Sequence, residues 1–286
     1  MSGAVRTGWA PSTGPAAPAP AWRRRWLLVA TAVWAVLLAV LAWTSVRDDA
    51  PTVREQRSLD QAGPVVDRAV GELARASGAA GLLELGPARV ESGCRVTPLA
   101  DGATLRREVG VLAAVGTERA VLSGIADRLP ASWRAGVGPG LDGPELRADA
   151  GEFVAVEGRP TGDGRIRLTV DTGCRPVGSG YAPPPATDAG PEATALTAAL
   201  RALGQPADAA PELVTAPCPG GVLARTARSA AGPGAAGSAG GLTPLAGGAP
   251  LLDNPPVYAY RAGPVTVLAE LTPDAARLAA TVGCPG

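Results

Sequence analysis

From Trp26 to Val46 the chain runs WLLVATAVWAVLLAVLAWTSV without a charge. At about 1.5 Å per residue, a helix over these positions spans a hydrocarbon core of ~30 Å, so the pattern predicts a transmembrane helix at 26–46. Arg23, Arg24 and Arg25 stand directly before the run, and Asp48 and Asp49 follow it. Positive charge stays on the cytoplasmic side, which predicts a cytoplasmic N-terminus and an exported remainder. Trp22, Trp26 and Trp43 fall near the two interfaces, where indole rings are well accommodated. A cleaved signal peptide is the rival reading. Val40 and Ala42 fit a small-residue cleavage site before Trp43, but the apolar run and the segment before it exceed ordinary signal dimensions. Residues 1–25, rich in Ala, Pro, Gly, Ser and Thr until the arginines, predict a disordered cytoplasmic tail.

Beyond a juxtamembrane linker at 47–62, the apolar pattern goes through two similar rounds. Both open on Ala-Gly-Pro, at Ala62-Gly63-Pro64 and Ala189-Gly190-Pro191. Proline suits the first turn of a helix, where its missing N–H would have had no partner. Helical spacing follows, marked by Val66, Val70, Leu73 and Ser77 in the first round and Leu196, Leu200 and Leu203 in the second. Gly78 and Gly204 are placed to end these helices. Each round then reaches a short extended run with a cysteine, ARVESGCRV around Cys94 and ELVTAPCPG around Cys218. Later, ADAGEFVAVEG at 148–158 matches YRAGPVTVLAE at 260–270. Turns follow at Thr161-Gly162-Asp163-Gly164 and Thr272-Pro273-Asp274-Ala275. The closing strands, RLTVDTGCRP and RLAATVGCPG, both deliver a cysteine after a glycine. These matches predict a tandem duplication, copy one at 63–178 and copy two at 190–286, joined by a Pro-rich linker at 179–189 in which Pro183-Pro-Pro185 holds the copies apart.

The middles differ. In copy one, Val121, Leu122, Ile125 and Leu129 fall on one helical face behind Thr117, a candidate N-cap. In copy two, Ala231 to Gly248 is nearly all Gly, Ala, Pro and Ser, which predicts a flexible loop and a sheet face left uncovered.

The four cysteines Cys94, Cys174, Cys218 and Cys284 allow three pairings. The repeat selects Cys94–Cys174 and Cys218–Cys284, one cysteine on the first strand of a copy and one on the last, tying the two ends of each sheet. An exported location favours disulfides.

Composition changes the picture mainly by exclusion. All 26 basic residues are arginine; there is no Lys and no His. This rules out Ser-His-Asp machinery, His-ligated zinc and a phosphate-loop lysine. From Arg47 onward 22 arginines face 26 acids, so the exported part lacks the basic footprint of a nucleic-acid binder. Gly138-Pro-Gly140-Leu-Asp-Gly143 satisfies G-x-G-x-x-G, but an extended segment follows it instead of a helix, so it reads as an ordinary loop. Asp142, Glu145, Asp149, Glu152 and Glu157 lack calcium-loop spacing and read as a solvated face. Trp133, the one tryptophan beyond the membrane run, reads as a core cap or as an exposed anchor for a partner. Tyr258 and Tyr260 share one face of a strand and are candidate partner contacts too. No cofactor and no metal site is expected.

The resulting expectation is an α+β protein: an N-terminal transmembrane helix, then two tandem copies of a helix-plus-antiparallel-sheet domain, each in the order helix, two strands, optional helix, two strands. The function expected is that of a non-enzymatic binding or scaffolding module of the cell envelope, anchored in the membrane. A carrier or sensor of a small apolar ligand in a helix–sheet pocket is the alternative, and a carboxylate-based hydrolase comes third.

Overall fold

The computed structural model describes residues 21–48, 57–78, 82–185, 190–234 and 239–285. Most of the tail, linker residues 49–56, link residues 186–189 and residues 235–238 of the glycine-alanine stretch lie outside these. The chain divides into two units, Met1–Arg54 and Glu55–Gly286. The first holds helix α1 (Ala21–Asp48), which contains an apolar window long enough to cross a membrane by length and composition.

The second unit is mixed α+β, with two antiparallel sheets and a helix before each. Helix α2 (Leu59–Ser77) starts before the expected position. The Ser58 N–H donates to Gln61 Oε1 at 3.3 Å, half of a capping box, so the helix begins upstream and Pro64 lies inside it. Strands β1 (Leu82–Leu85), β2 (Arg89–Thr97) and β3 (Ala100–Leu112) follow. Helix α3 (Glu118–Arg128) then carries the chain to the far edge of the sheet. From there β4 (Gly136–Gly140), β5 (Gly143–Asp149), β6 (Ala155–Gly162) and β7 (Arg165–Arg175) return as a meander, and β7 comes to rest beside β3. The spatial order is β1-β3-β7-β6-β5-β4, with β2 also paired to β3. In the β6–β7 hairpin Gly162 pairs with Arg165, and both intervening residues have positive φ, Asp163 at 52° and Gly164 at 72°. That is the turn whose twist matches the strands, and the Asp-Gly sequence supplies it.

The second sheet repeats the plan. After helix α4 (Pro191–Ala202) come β8 (Glu212–Pro217), β9 (Leu223–Arg228), the two-residue β10 (Gly232–Pro233), then β11 (Leu252–Asn254), β12 (Val257–Ala262), β13 (Val265–Leu271) and β14 (Ala275–Val282). The order β8-β9-β14-β13-β12-β11 matches that of the first sheet strand for strand, once β1 and β2 together are set against β8. Proline 191 does occupy the first turn of α4. Each half has four strands after its crossover, not two. The additional ones, β4–β5 and β11–β12, lie at the sheet edge; the Gly-Pro segment of β4 and the three residues of β11 carry no hydrophobic alternation that announces a strand.

Both disulfides form, Cys94–Cys174 and Cys218–Cys284. They do not tie sheet ends, however. Because the last strand inserts next to β3 in one half and next to β9 in the other, each bond reaches over that strand.

Two further expectations are overturned. The stretch from Ala231 to Gly248 does not leave its sheet bare: β10 pairs with β14, and a 3₁₀ helix at Ala239–Leu245 places Leu242 at 0 % exposure with Ala246 buried nearby. Leu242, with Leu245 partly buried against the same core, anchors this otherwise small-residue segment. Nor are the two halves held apart. Val214, Ala216, Cys218 and Ala224 of the second half belong to the same apolar core as Val66, Val70, Leu73 and Leu105 of the first.

Candidate functional site

The seam between the halves is built on α2. Its Val66, Val70 and Leu73 belong to the first half's core, while the small residues Gly63 and Gly71 take close neighbours. A Cβ on Gly71 would overlap the Pro217 carbonyl, and one on Gly63 would come within 2.7 Å of the Tyr181 ring. Glycine at these places is therefore what lets β8 and the link seat against the helix. Between them in sequence stands Asp67. Its Oδ1 accepts from Arg107 Nη1 at 2.6 Å and from the Tyr181 hydroxyl at 2.8 Å, and Arg107 Nη2 donates to the Thr215 carbonyl at 2.9 Å. One carboxylate thus joins α2, β3, the link and β8. Burial pushes the Asp67 carboxyl above its ordinary value, against the pull of Tyr181 and Arg107, and burial likewise pushes the Tyr181 hydroxyl upward. With Asp67 6 % and Arg107 2 % exposed, no substrate reaches this pair, and its chemistry is that of a lock.

The seam continues along β1. The Leu85 N–H donates to Thr226 Oγ1 at 3.1 Å, and Thr226 in turn bonds Thr281 at 2.9 Å. A groove of about 190 Å³ here is lined by Glu84, Glu108, Arg165, Arg167 and Arg228. Its charges are matched: Arg228 to Glu84 at 2.9 Å, Arg167 to Glu108 at 3.8 Å, and Arg165 to Glu270 at 3.3 Å.

A larger opening on the seam is a cleft of about 720 Å³ at the C-terminal ends of α2 and α3. Arg75 and Arg128 line it from the first half, and Arg261, Pro264, Thr281 and Val282 from the second. The first two arginines are engaged. Arg75 Nη2 donates to the Arg128 carbonyl at 2.7 Å and pairs with Glu72, while Arg128 Nη1 donates to the Ala76 carbonyl at 2.9 Å. Each satisfies a free carbonyl at the end of the other's helix, where a cation also meets the helix dipole favourably. Arg261, exposed on β12, has no ion-pair partner among the described residues, and none of their carboxylates lines the cleft.

The residues singled out from the sequence lie elsewhere. Trp133 is 8 %, Tyr258 3 % and Tyr260 1 % exposed, so none presents a ring to a partner. Trp133 closes the first core behind α3. The two tyrosines pack together with ring centroids 6.2 Å apart in the second, and Tyr260 is pushed up to about 12 by burial and by its neighbour. Tyr258 also lines a pocket of about 260 Å³ with Thr243, Asp253 and the Pro255-Pro256 pair, and its buried hydroxyl has no partner among the described residues. Gly138 to Gly143 forms the β4–β5 hairpin, strand followed by strand. In the acidic stretch, Glu145, Asp149 and Glu152 pair separately with Arg147, Arg134 and Arg57. Among the described residues no three Asp, Glu, His or Cys cluster as metal ligands would.

What sequence reasoning missed is the seam. Arg107 sits in LRREVGV, where alternation gives no sign that one arginine points inward. No protein-family model matches the chain, and neither a curated protein nor a solved structure is similar to it.

Proposed function

We propose that this is a single-pass membrane protein whose extracytoplasmic region, a tandem duplication, is a binding module of the cell envelope, with the seam cleft as its ligand-facing surface. The cleft carries the reading: at about 720 Å³ it is a large opening on the seam, both halves contribute walls to it, and Arg261 stands there without an acid among the described residues. Helix α1, the arginine triplet before it and two disulfides support an anchored, exported chain. The shared strand order supports duplication. A binding role fits the chemistry present. A carboxylate hydrolase needs a carboxyl free at a cleft wall; Glu84 and Glu108, which share a groove, are each engaged by an arginine.

The test has two parts. Protease added to intact spheroplasts should digest the region after Arg47 and spare the tail; protection of the C-terminal region contradicts the topology. Photo-crosslinking from position 261 should then trap an envelope component, and that product should be lost in Arg261→Glu and in a cleft-filling Thr281→Trp. Crosslinking indifferent to both substitutions contradicts the site.

The pocket beside Tyr258 supports a second reading, binding of a small ligand that accepts a hydrogen bond from that hydroxyl. Tyr258→Phe would then weaken ligand-induced stabilisation without lowering the stability of the free protein.

A further inference from the structure

The β2–β3 hairpin ends in a two-residue tip, Pro98-Leu99, closed by the Thr97–Ala100 pair. Leu99 is 99 % exposed, and Arg95 Nη1 donates to the Pro98 carbonyl at 2.9 Å, which keeps a guanidinium beside the leucine. The hairpin projects from the end of the sheet at which the chain enters the folded region. There Arg175 Nη1 donates to the Arg57 carbonyl at 3.2 Å, the Leu59 N–H donates to the Pro176 carbonyl at 2.9 Å, and Arg57 pairs with Glu152 at 3.0 Å. Arg175 faces Ala103 on β3, so the tip stands roughly 10 Å beyond that entry point at the rise of a strand. Phe153 and Val177, each 45 % exposed, belong to the same end.

Helix α1 ends at Asp48, and only residues 49–56 separate it from Arg57. However they are arranged, they reach at most about 30 Å. An anchored chain therefore cannot carry this end of the sheet far from the bilayer. We infer that the Pro98-Leu99 tip is a second membrane contact, in which Leu99 enters the lipid interface and Arg95 meets headgroup phosphate. The inference rests on the anchored reading above. A single exposed leucine is ordinary on a soluble surface. The molecule supplies its own control, because Leu141, 104 % exposed, tips the β4–β5 hairpin. Strand β5 runs from that tip toward the turn held by Arg175, so Leu141 lies at the opposite end of the sheet.

All four native cysteines are in disulfides, so an added thiol is the one site for a nitroxide label. Leu99→Cys and Leu141→Cys are made in the full chain, labelled, and reconstituted in phosphatidylethanolamine–phosphatidylglycerol vesicles. Collision rates with oxygen, which partitions into lipid, and with a water-soluble nickel complex are then compared. At position 99 the oxygen-to-nickel ratio should rise several-fold over that at 141, as for a group held about 5–10 Å into the headgroup boundary. Equal, water-like ratios overturn the inference while leaving the anchor intact. Release of the chain from the vesicles by alkaline wash overturns the anchored reading itself, and this inference with it.

Discussion

The two halves share a strand order and differ in what covers it. In the first, α3 brings Leu122 and Ile125 down to 0 % exposure, with Leu129 and Trp133 behind them. In the second, the corresponding crossover offers Leu242, with Leu245 and Ala246 beside it. The opening helices differ in the opposite sense. Thirteen of the 19 residues of α2 are buried, against five of the 12 in α4, because α2 packs on its own sheet and also receives β8. Equal topology therefore does not mean equal roles. The first half provides the support on which the second is seated, and a second half with so thin a cover is best understood as dependent on it.

The disulfides break the comparison most sharply. Each closes a long loop, 80 residues in one half and 66 in the other, so chain entropy alone assigns each roughly 4–5 kcal/mol. Their surroundings differ. Cys218 is 5 % exposed inside the shared core, and Cys284 Sγ lies 3.5 Å from the Gly71 carbonyl oxygen. Cys94 sits on β2, which is mostly exposed. The double variant Cys218→Ser/Cys284→Ser should lose the entropic term and also place hydroxyls in an apolar seam, lowering stability more than Cys94→Ser/Cys174→Ser. Denaturant unfolding of the region from Arg47 onward, in which Trp133 is the one tryptophan, followed by its fluorescence, would show the second half's defect reported from the first. Equal losses would mean the seam is not one cooperative unit.

Next in size are the buried ion pairs. Asp67→Ala strands Arg107, 2 % exposed, and should cost about 3–5 kcal/mol, the range for breaking a buried pair. Glu192→Ala removes the acid that Arg225 meets at 3.0 Å in the second half, but the Arg225 side chain is 20 % exposed and can regain water. That loss should be smaller by a kilocalorie or more. The reverse order, measured by chemical unfolding, would move the structural centre to α4.

The plug comes third. Leu242→Ala should cost about 2–5 kcal/mol, as large-to-small core changes do, and should release amide protection across 239–245. Leu122→Ala falls in the same range, but Ile125, Leu129 and Trp133 remain to hold α3, so protection over 118–128 should largely persist. Retained protection at 239–245 in Leu242→Ala would show that the turn is held by something besides Leu242, such as Leu245.

These contrasts also mark what the sequence could disclose. The helical faces, the Asp-Gly hairpin and the cysteine pairs were legible because periodicity, turn chemistry and an internal repeat each carry local signals. The seam was not. Gly63 and Gly71 look like helix weaknesses until a second chain segment needs the space. Arg107 looks solvent-facing until Asp67, 40 residues away, is known to meet it. Leu242 and Leu245 are too few to make a period. Each depends on a partner distant in sequence, and a local pattern has no term for that.

The smallest effect separates two acids of α2, one in its first turn and one at its middle, by pH. Asp60, near the N-terminus, is held below its ordinary value of 3.8, chiefly by hydrogen bonds from Ser58 and then Ser179. The unfolded chain protonates this group first, so its contribution is present above 3.8 and is lost as pH falls through the folded-state value. Asp67 has the opposite sign. Burial raises it above 3.8, so between that value and its folded-state value the native protein holds a proton that the unfolded chain has released. Stability from this group therefore falls as pH rises through that window. Asp60→Asn should accordingly flatten the loss of stability on acidification. Asp67→Asn, apart from its general cost, should remove a gain on acidification and leave a steeper acid loss than wild type. Unfolding midpoints measured from pH 7 downward would resolve the two slopes. A common sign would mean that Arg107 outweighs burial at Asp67, and that the lock at the seam is an ion pair strong enough to set its own charge state.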